Sequence, residues 1–71
     1  MSKDIGKRVL ETVGKASMPV SVEYIAQRVN VGWGTALRYA LELVAAGKIK
    51  GMKTTKSWVF WIQNSTKEDI E

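Results

Sequence analysis

Apolar residues recur every four positions near the start of the chain. Ile5, Val9 and Val13, with Leu10 beside them, fall on one side of a helical wheel, and Lys7, Arg8 and Glu11 fall on the other. The spacing predicts a first helix over residues 3–14, ended by Gly14. Residues 15–19 read as a connector, because Pro19 disfavours helical backbone at Met18. Val20 reads as extended, with one residue free to pair with a later hairpin. Ser21 then offers a hydroxyl as N-cap and Glu23 an acid for the following first turn, which places a second helix over Val22–Val29. Its apolar face is Val22, Ile25, Ala26 and Val29. Asn30, tolerant of a left-handed backbone, turns the chain with Val31.

A third helix follows, with Gly32 as N-cap and Trp33, Gly34 and Thr35 in its first turn. Gly47 ends it, where a left-handed residue is wanted, and Lys48 brings a positive charge to that end. Ala36, Ala40, Leu43 and Gly47 share one face, flanked by Tyr39 and Val44. Small residues at the centre of that face allow another helix to cross closely. Gly34, Thr35, Leu37, Arg38, Leu41, Glu42, Ala45 and Lys48 are expected to point away from it. Beyond Gly47 the period changes from helical to alternating. Ile49–Met52 reads as a short strand, residues 53–57 as a polar turn, and Ser57–Gln63 as a second strand. Trp58, Phe60 and Ile62 alternate there with Val59 and Trp61. The first three are expected to close the core against Ile5, Val9, Val13 and Leu43, since a lone hairpin is marginal in water.

The order is thus helix, helix, turn, helix, strand, strand. A chain of 71 residues makes one domain, assigned to residues 1–63, with residues 64–71 as a flexible C-terminal tail. Charge sharpens this picture. The net charge is +4, and Lys48, Lys50, Lys53 and Lys56 place four cations and no acid within residues 48–56. Such a block is the footprint of a polyanion ligand, or a lysine-rich hairpin guarding its own edge.

Composition narrows the chemistry. There is no Cys and no His, so thiolate metal sites, disulfides and the commonest general base are excluded. The acids pair with no nucleophile or base at a suggestive spacing, and no phosphate-binding glycine loop is present, so no enzyme, cofactor, metal or small-molecule ligand is expected. No apolar run reaches the roughly 18 residues of a membrane span, and the first residues carry no signal-peptide core. A cytoplasmic protein is expected.

Several short patterns now converge. Pro19-Val20-Ser21 opens the second helix, Ile25-Ala26 lies inside it, and Asn30-Val31-Gly32 makes a tight turn. Thr35 starts the third helix, and Gly47-Lys48-Ile49 leads from it into the hairpin. Over residues 4–62 the chain resembles the winged helix-turn-helix domains of small prokaryotic, particularly archaeal, DNA-binding proteins. The resemblance implies an α+β, mainly α, fold of three helices followed by a two-stranded β-hairpin wing. It implies a small transcriptional regulator that binds double-stranded DNA, with the third helix in the major groove and a basic wing tip, Lys53–Lys56, on the backbone. Two features depart from that pattern: the third helix offers few donors beyond Arg38 and Thr35, and no effector or dimerisation extension is expected within these 71 residues.

The candidate DNA contacts are Trp33, Thr35, Leu37, Arg38, Lys48, Lys50, Lys53, Thr54, Thr55 and Lys56. Two of these have competing uses. Arg38 can reach a guanine edge or a phosphate, or pair with Glu42 four residues on. Trp33 can stack in the groove or pack at the corner between the second and third helices. Leu37 and Leu41 form an outward apolar stripe, and Val59 with Trp61 a second patch; such surfaces mark partners in a small domain. A homodimer is expected, joined through the first helix, the outer strand face or the tail. A protein-interaction module of a larger assembly, using Leu37, Leu41 and Trp33, is the alternative to DNA binding. A single-stranded nucleic-acid binder is a weaker third, because no open aromatic platform is evident.

Overall fold

Helix α1 spans Ser2–Lys15, strand β1 Val20–Ser21, helix α2 Val22–Val29 and helix α3 Trp33–Ala45, followed by strands β2, Lys50–Lys53, and β3, Trp58–Trp61. These come from a computed structural model that describes residues 2–62. The protein is a small, mainly helical α+β fold of three helices and a three-stranded antiparallel sheet in the order β1-β3-β2. No helix among the described residues is long and apolar enough to cross a membrane.

The helix boundaries follow local hydrogen bonding. The Ser21 hydroxyl accepts from the Tyr24 N–H at 3.1 Å, satisfying a donor that α2 leaves free at its start. Asn30 takes φ 66° at the other end, and its N–H and that of Val31 both donate to the Ala26 carbonyl. That double closure makes the sharp turn into α3. Gly47 takes φ 78°, and two bonds seal the end of α3: Gly47 N–H to the Val44 carbonyl and Lys48 N–H to the Leu43 carbonyl. This crossed pair is the Schellman arrangement, for which glycine has no Cβ penalty.

Val9, Val13, Val22, Ile25, Val29, Ala36, Ala40, Ile49 and Phe60 form the buried core, with Val20 at its edge. Ala36 and Ala40 are fully enclosed, which fits their role of letting α3 lie close to its neighbours. Tyr39 of α3 lies against α1 at Gly6, whose ideal Cβ position is 3.6 Å from the ring.

Four expectations need correction. The expected two-stranded hairpin gains a third strand: Val20, read as extended and free to pair, pairs with Phe60, and Ser21 with Val59, so β1 joins the sheet. Gly14 does not end α1, which continues to Lys15 because its last turn still closes, the Ala16 N–H reaching the Val13 carbonyl. Ile62 does not seal the core; it lies beyond β3 and is exposed, and the seal is made by Phe60 with Trp58 stacked beside it at 6.0 Å. Leu37 and Leu41 do not form an outward stripe. Both are half-buried and packed against the core, because the apolar arc covered on α3 is wider than its alanine face. The expected extension of the second strand to Gln63, and the tail, lie outside the described residues.

Candidate nucleic-acid interface

Helix α3 keeps one side uncovered. Gly34, Thr35, Arg38, Glu42 and Ala45 are exposed along it, and neither Gly32 nor Gly34 has an atom within 4 Å of an ideal Cβ. Gly32 supplies no side-chain cap, so no side chain satisfies the first N–H groups of α3 from the cap position.

A single carboxylate ties the start of this helix to the hairpin. Trp33 Nε1–H donates to Glu23 Oε2 at 3.0 Å, and the Ser57 hydroxyl donates to Glu23 Oε1 at 3.1 Å. Trp33 is the first residue of α3, and Ser57 directly precedes β3. The hairpin tip therefore lies beside the first turn of α3. Trp33 is thus tied at the corner between α2 and α3, and its indole remains 44% exposed. Ser57 is held in turn by Thr54, whose hydroxyl donates to the Ser57 carbonyl at 2.9 Å and accepts from its N–H at 3.0 Å. The Thr54 hydroxyl thus makes both of these bonds within the turn and fixes its shape.

The remaining candidates divide by position. Lys53, Thr55 and Lys56 are exposed at the tip, in the turn that Ser57 ties through Glu23 to Trp33. Lys48 and Lys50 are exposed at the opposite end of α3, a helix of 13 residues and so about 20 Å long. Strand parity separates them further. Lys53 pairs with Trp58 on the face that carries Gly51 and Phe60 toward the helices, whereas Lys50 pairs with Trp61 on the outer face. The basic block, continuous in sequence, is split in space. Leu37 is half-buried and packs against the core, so only part of its side chain is presented on this side. Arg38 is exposed, with Nε 3.8 Å from Glu42 Oε2 and its guanidinium 5.4 Å from the Tyr39 ring centroid. That ion pair is long and solvent-bathed, so little holds Arg38 to Glu42.

Glu23 and Ser57 are the members that sequence reasoning missed. One signal pointed to them: an exposed indole N–H seeks an acceptor, and Glu23 is the acid beside the turn that carries Trp33. The Glu23 carboxyl is held below the ordinary glutamate value, first by its own backbone N–H at the start of α2, then by Trp33 Nε1–H, with smaller help from Ser57 and Ser21. Partial desolvation opposes this. A depressed folded-state pKa means the tie is fully present above the unfolded-state pKa and is lost as pH falls through the folded one. The join between α3 and the hairpin is expected to persist at neutral pH and loosen only in acid. A carbon-detected NMR titration of the Glu23 side chain should give a midpoint below that of an unstructured glutamate. A midpoint at or above it would show that the carboxylate is not held.

Among the described residues no group of three or more acidic side chains stands close enough to hold a metal ion. No protein-family model matches the chain, and comparisons with characterised proteins and with solved structures return no match.

Proposed function

We propose that the protein binds double-stranded DNA as a winged helix-turn-helix, with α3 in the major groove and the hairpin tip on the adjoining backbone, and acts as a small cytoplasmic transcriptional regulator. The observation that carries this reading is the Glu23 carboxylate, which sets a basic tip beside the uncovered first turn of α3. A rod and a charged flap held side by side match a groove and the phosphates along its rim. Lys53 and Lys56 meet phosphates there. The N–H groups at the start of α3, which Gly32 does not cap, suit a further phosphate together with the Thr35 hydroxyl. Arg38 is the only cation on the uncovered side of α3, so base reading is thin and backbone contacts dominate.

A fluorescence-anisotropy titration on short duplexes tests this. With about four phosphates neutralised, log K should fall against log salt with a slope of roughly −4. Absence of binding at about 50 mM salt would reject the proposal. Replacing Arg38 by Ala should change the order of preference among duplex sequences if it reads a base, and weaken all of them alike if it holds a phosphate.

The protein-interaction alternative would rest mainly on Trp33, 44% exposed, since Leu37 and Leu41 are half-buried against the core. One apolar surface still supports a homodimer. On the outer sheet face, exposed Met18 and Met52 adjoin Val59 and Trp61 in one groove. A second copy covering that face would present two α3 helices to two half-sites. Sedimentation of the free protein checks this, a monomer at all concentrations removing the idea.

A further inference from the structure

We infer that the groove between α1 and α2 is a second polyanion-binding surface, on the side of the molecule away from α3, through which one protomer holds a second DNA duplex. The bridging role rests on the proposed DNA contact of α3 and the hairpin. Arg8, Glu11, Thr12 and Lys15 of α1 line this groove with Tyr24 and Arg28 of α2. Three cations thus face one carboxylate. Glu11 stands three residues from Arg8 and four from Lys15, the spacings at which helical ion pairs form. It pairs with neither: the one ion pair among the described residues is Arg38–Glu42. The positive charge of the groove is therefore uncompensated from within. Arg28 lies over the Tyr24 ring, 5.7 Å from its centroid, a contact that orients the guanidinium without using its N–H donors.

Helical geometry fixes which way the groove faces. Gly6 marks the side of α1 that touches α3. At about 100° per residue, Arg8, Thr12 and Lys15 lie roughly 200°, 240° and 180° around from it. On α2, Glu23 marks the side that touches α3, and Arg28 lies roughly 140° further around. Both helices turn the groove away from the first site. Its cations are also spread out. Arg8 and Lys15 are separated by about 10 Å of helical rise, with Arg28 across from them. One small anion cannot bond along such a line, whereas successive phosphates of a strand can.

The test is capture of a labelled duplex by a bead-bound duplex in the presence of the full chain, beside anisotropy on a single duplex. Wild type should do both. The triple variant Arg8→Glu, Lys15→Glu, Arg28→Glu should lower single-duplex affinity only by the few-fold to about tenfold that a change in net charge costs, and lose capture by about a further tenfold or more. The milder set Arg8→Gln, Lys15→Gln, Arg28→Gln should lie between, and circular dichroism should show both variants folded. Wild type that binds one duplex but captures no second overturns this inference and leaves the first site standing. Failure to bind any duplex overturns both. Capture undiminished in the triple variant also overturns it, since bridging would then come from two α3 faces of a dimer. So does a shift in sedimentation that tracks the lost capture, because the groove would then be joining copies of the chain.

Discussion

Reversing Lys53 and Lys56 together to Glu should lower duplex affinity by about a hundredfold at low salt and flatten the salt slope by about two. The loss should be equal across duplex sequences, because phosphate contacts carry no base information. The physical basis is the location of the tip. Both lysines are exposed, and the turn that bears them is pinned by Thr54 to Ser57 and through Ser57 to Glu23. Their ammonium groups are therefore presented beside the first turn of α3 rather than ranging freely. The informative control is the pair Lys48→Glu and Lys50→Glu, with the same change in charge. Lys48 follows the far end of α3, and Lys50 points to the outer sheet face. That pair should cost only a few-fold, through the longer-range field that salt screens. Equal losses from the two pairs would mean that net charge alone draws the chain to DNA, and that the tip has no special place.

The contrast between those two lysine pairs shows what was legible in the sequence and what was not. Elements defined by their own local bonds were readable to within a residue or two: the Ser21 cap, the Asn30 turn, the start of α3 after Gly32 and its close at Gly47. Each rests on partners no more than five residues apart, so the local sequence holds both halves of the interaction. The pairing of β1 with β3 joins residues some 40 positions apart, and only a hint at Val20 preceded it. The half-buried state of Leu37 and Leu41 also depends on distant partners, because a wheel gives an angle but not the width of the arc that other elements cover. The tie from Glu23 to Trp33 and Ser57 spans ten and 34 residues. It turns two separate candidates, the helix start and the tip, into one surface. The splitting of the basic block was in principle readable, since Lys50 and Lys53 are an odd number of residues apart and must face opposite sides of a strand.

The position of the tip depends in turn on how β2 sits against β3, and one glycine governs that contact. Gly51 lies opposite Phe60 in the ladder, and an ideal Cβ there would stand 2.6 Å from Phe60 Cε1, 2.7 Å from Cδ1 and 3.2 Å from Val44 Cγ2. Its backbone makes no demand for glycine, as Gly47 is the only glycine with positive φ among the described residues. On conformational entropy alone, Gly51→Ala would stabilise the strand by about 0.5–1 kcal/mol. The overlap reverses the sign. Phe60 is fully buried and has Trp58 stacked on it within 7° of parallel, so the ring has nowhere to retreat. Gly51→Ala should therefore destabilise by about 1–3 kcal/mol, the usual cost of overpacking, measured by urea unfolding. In a domain of this length that is a large share of the total. Phe60→Leu removes the ring atoms that the new methyl would meet. The double variant should be more stable than the sum of the single losses predicts, with a coupling of about 0.5–3 kcal/mol. Strict additivity, or a Gly51→Ala protein as stable as wild type, would show that ring and methyl never meet. Duplex affinity of the folded Gly51→Ala protein then reads the consequence for the interface. A β2 pushed off Phe60 carries Lys53 away from α3, so affinity should fall even though no charge has changed.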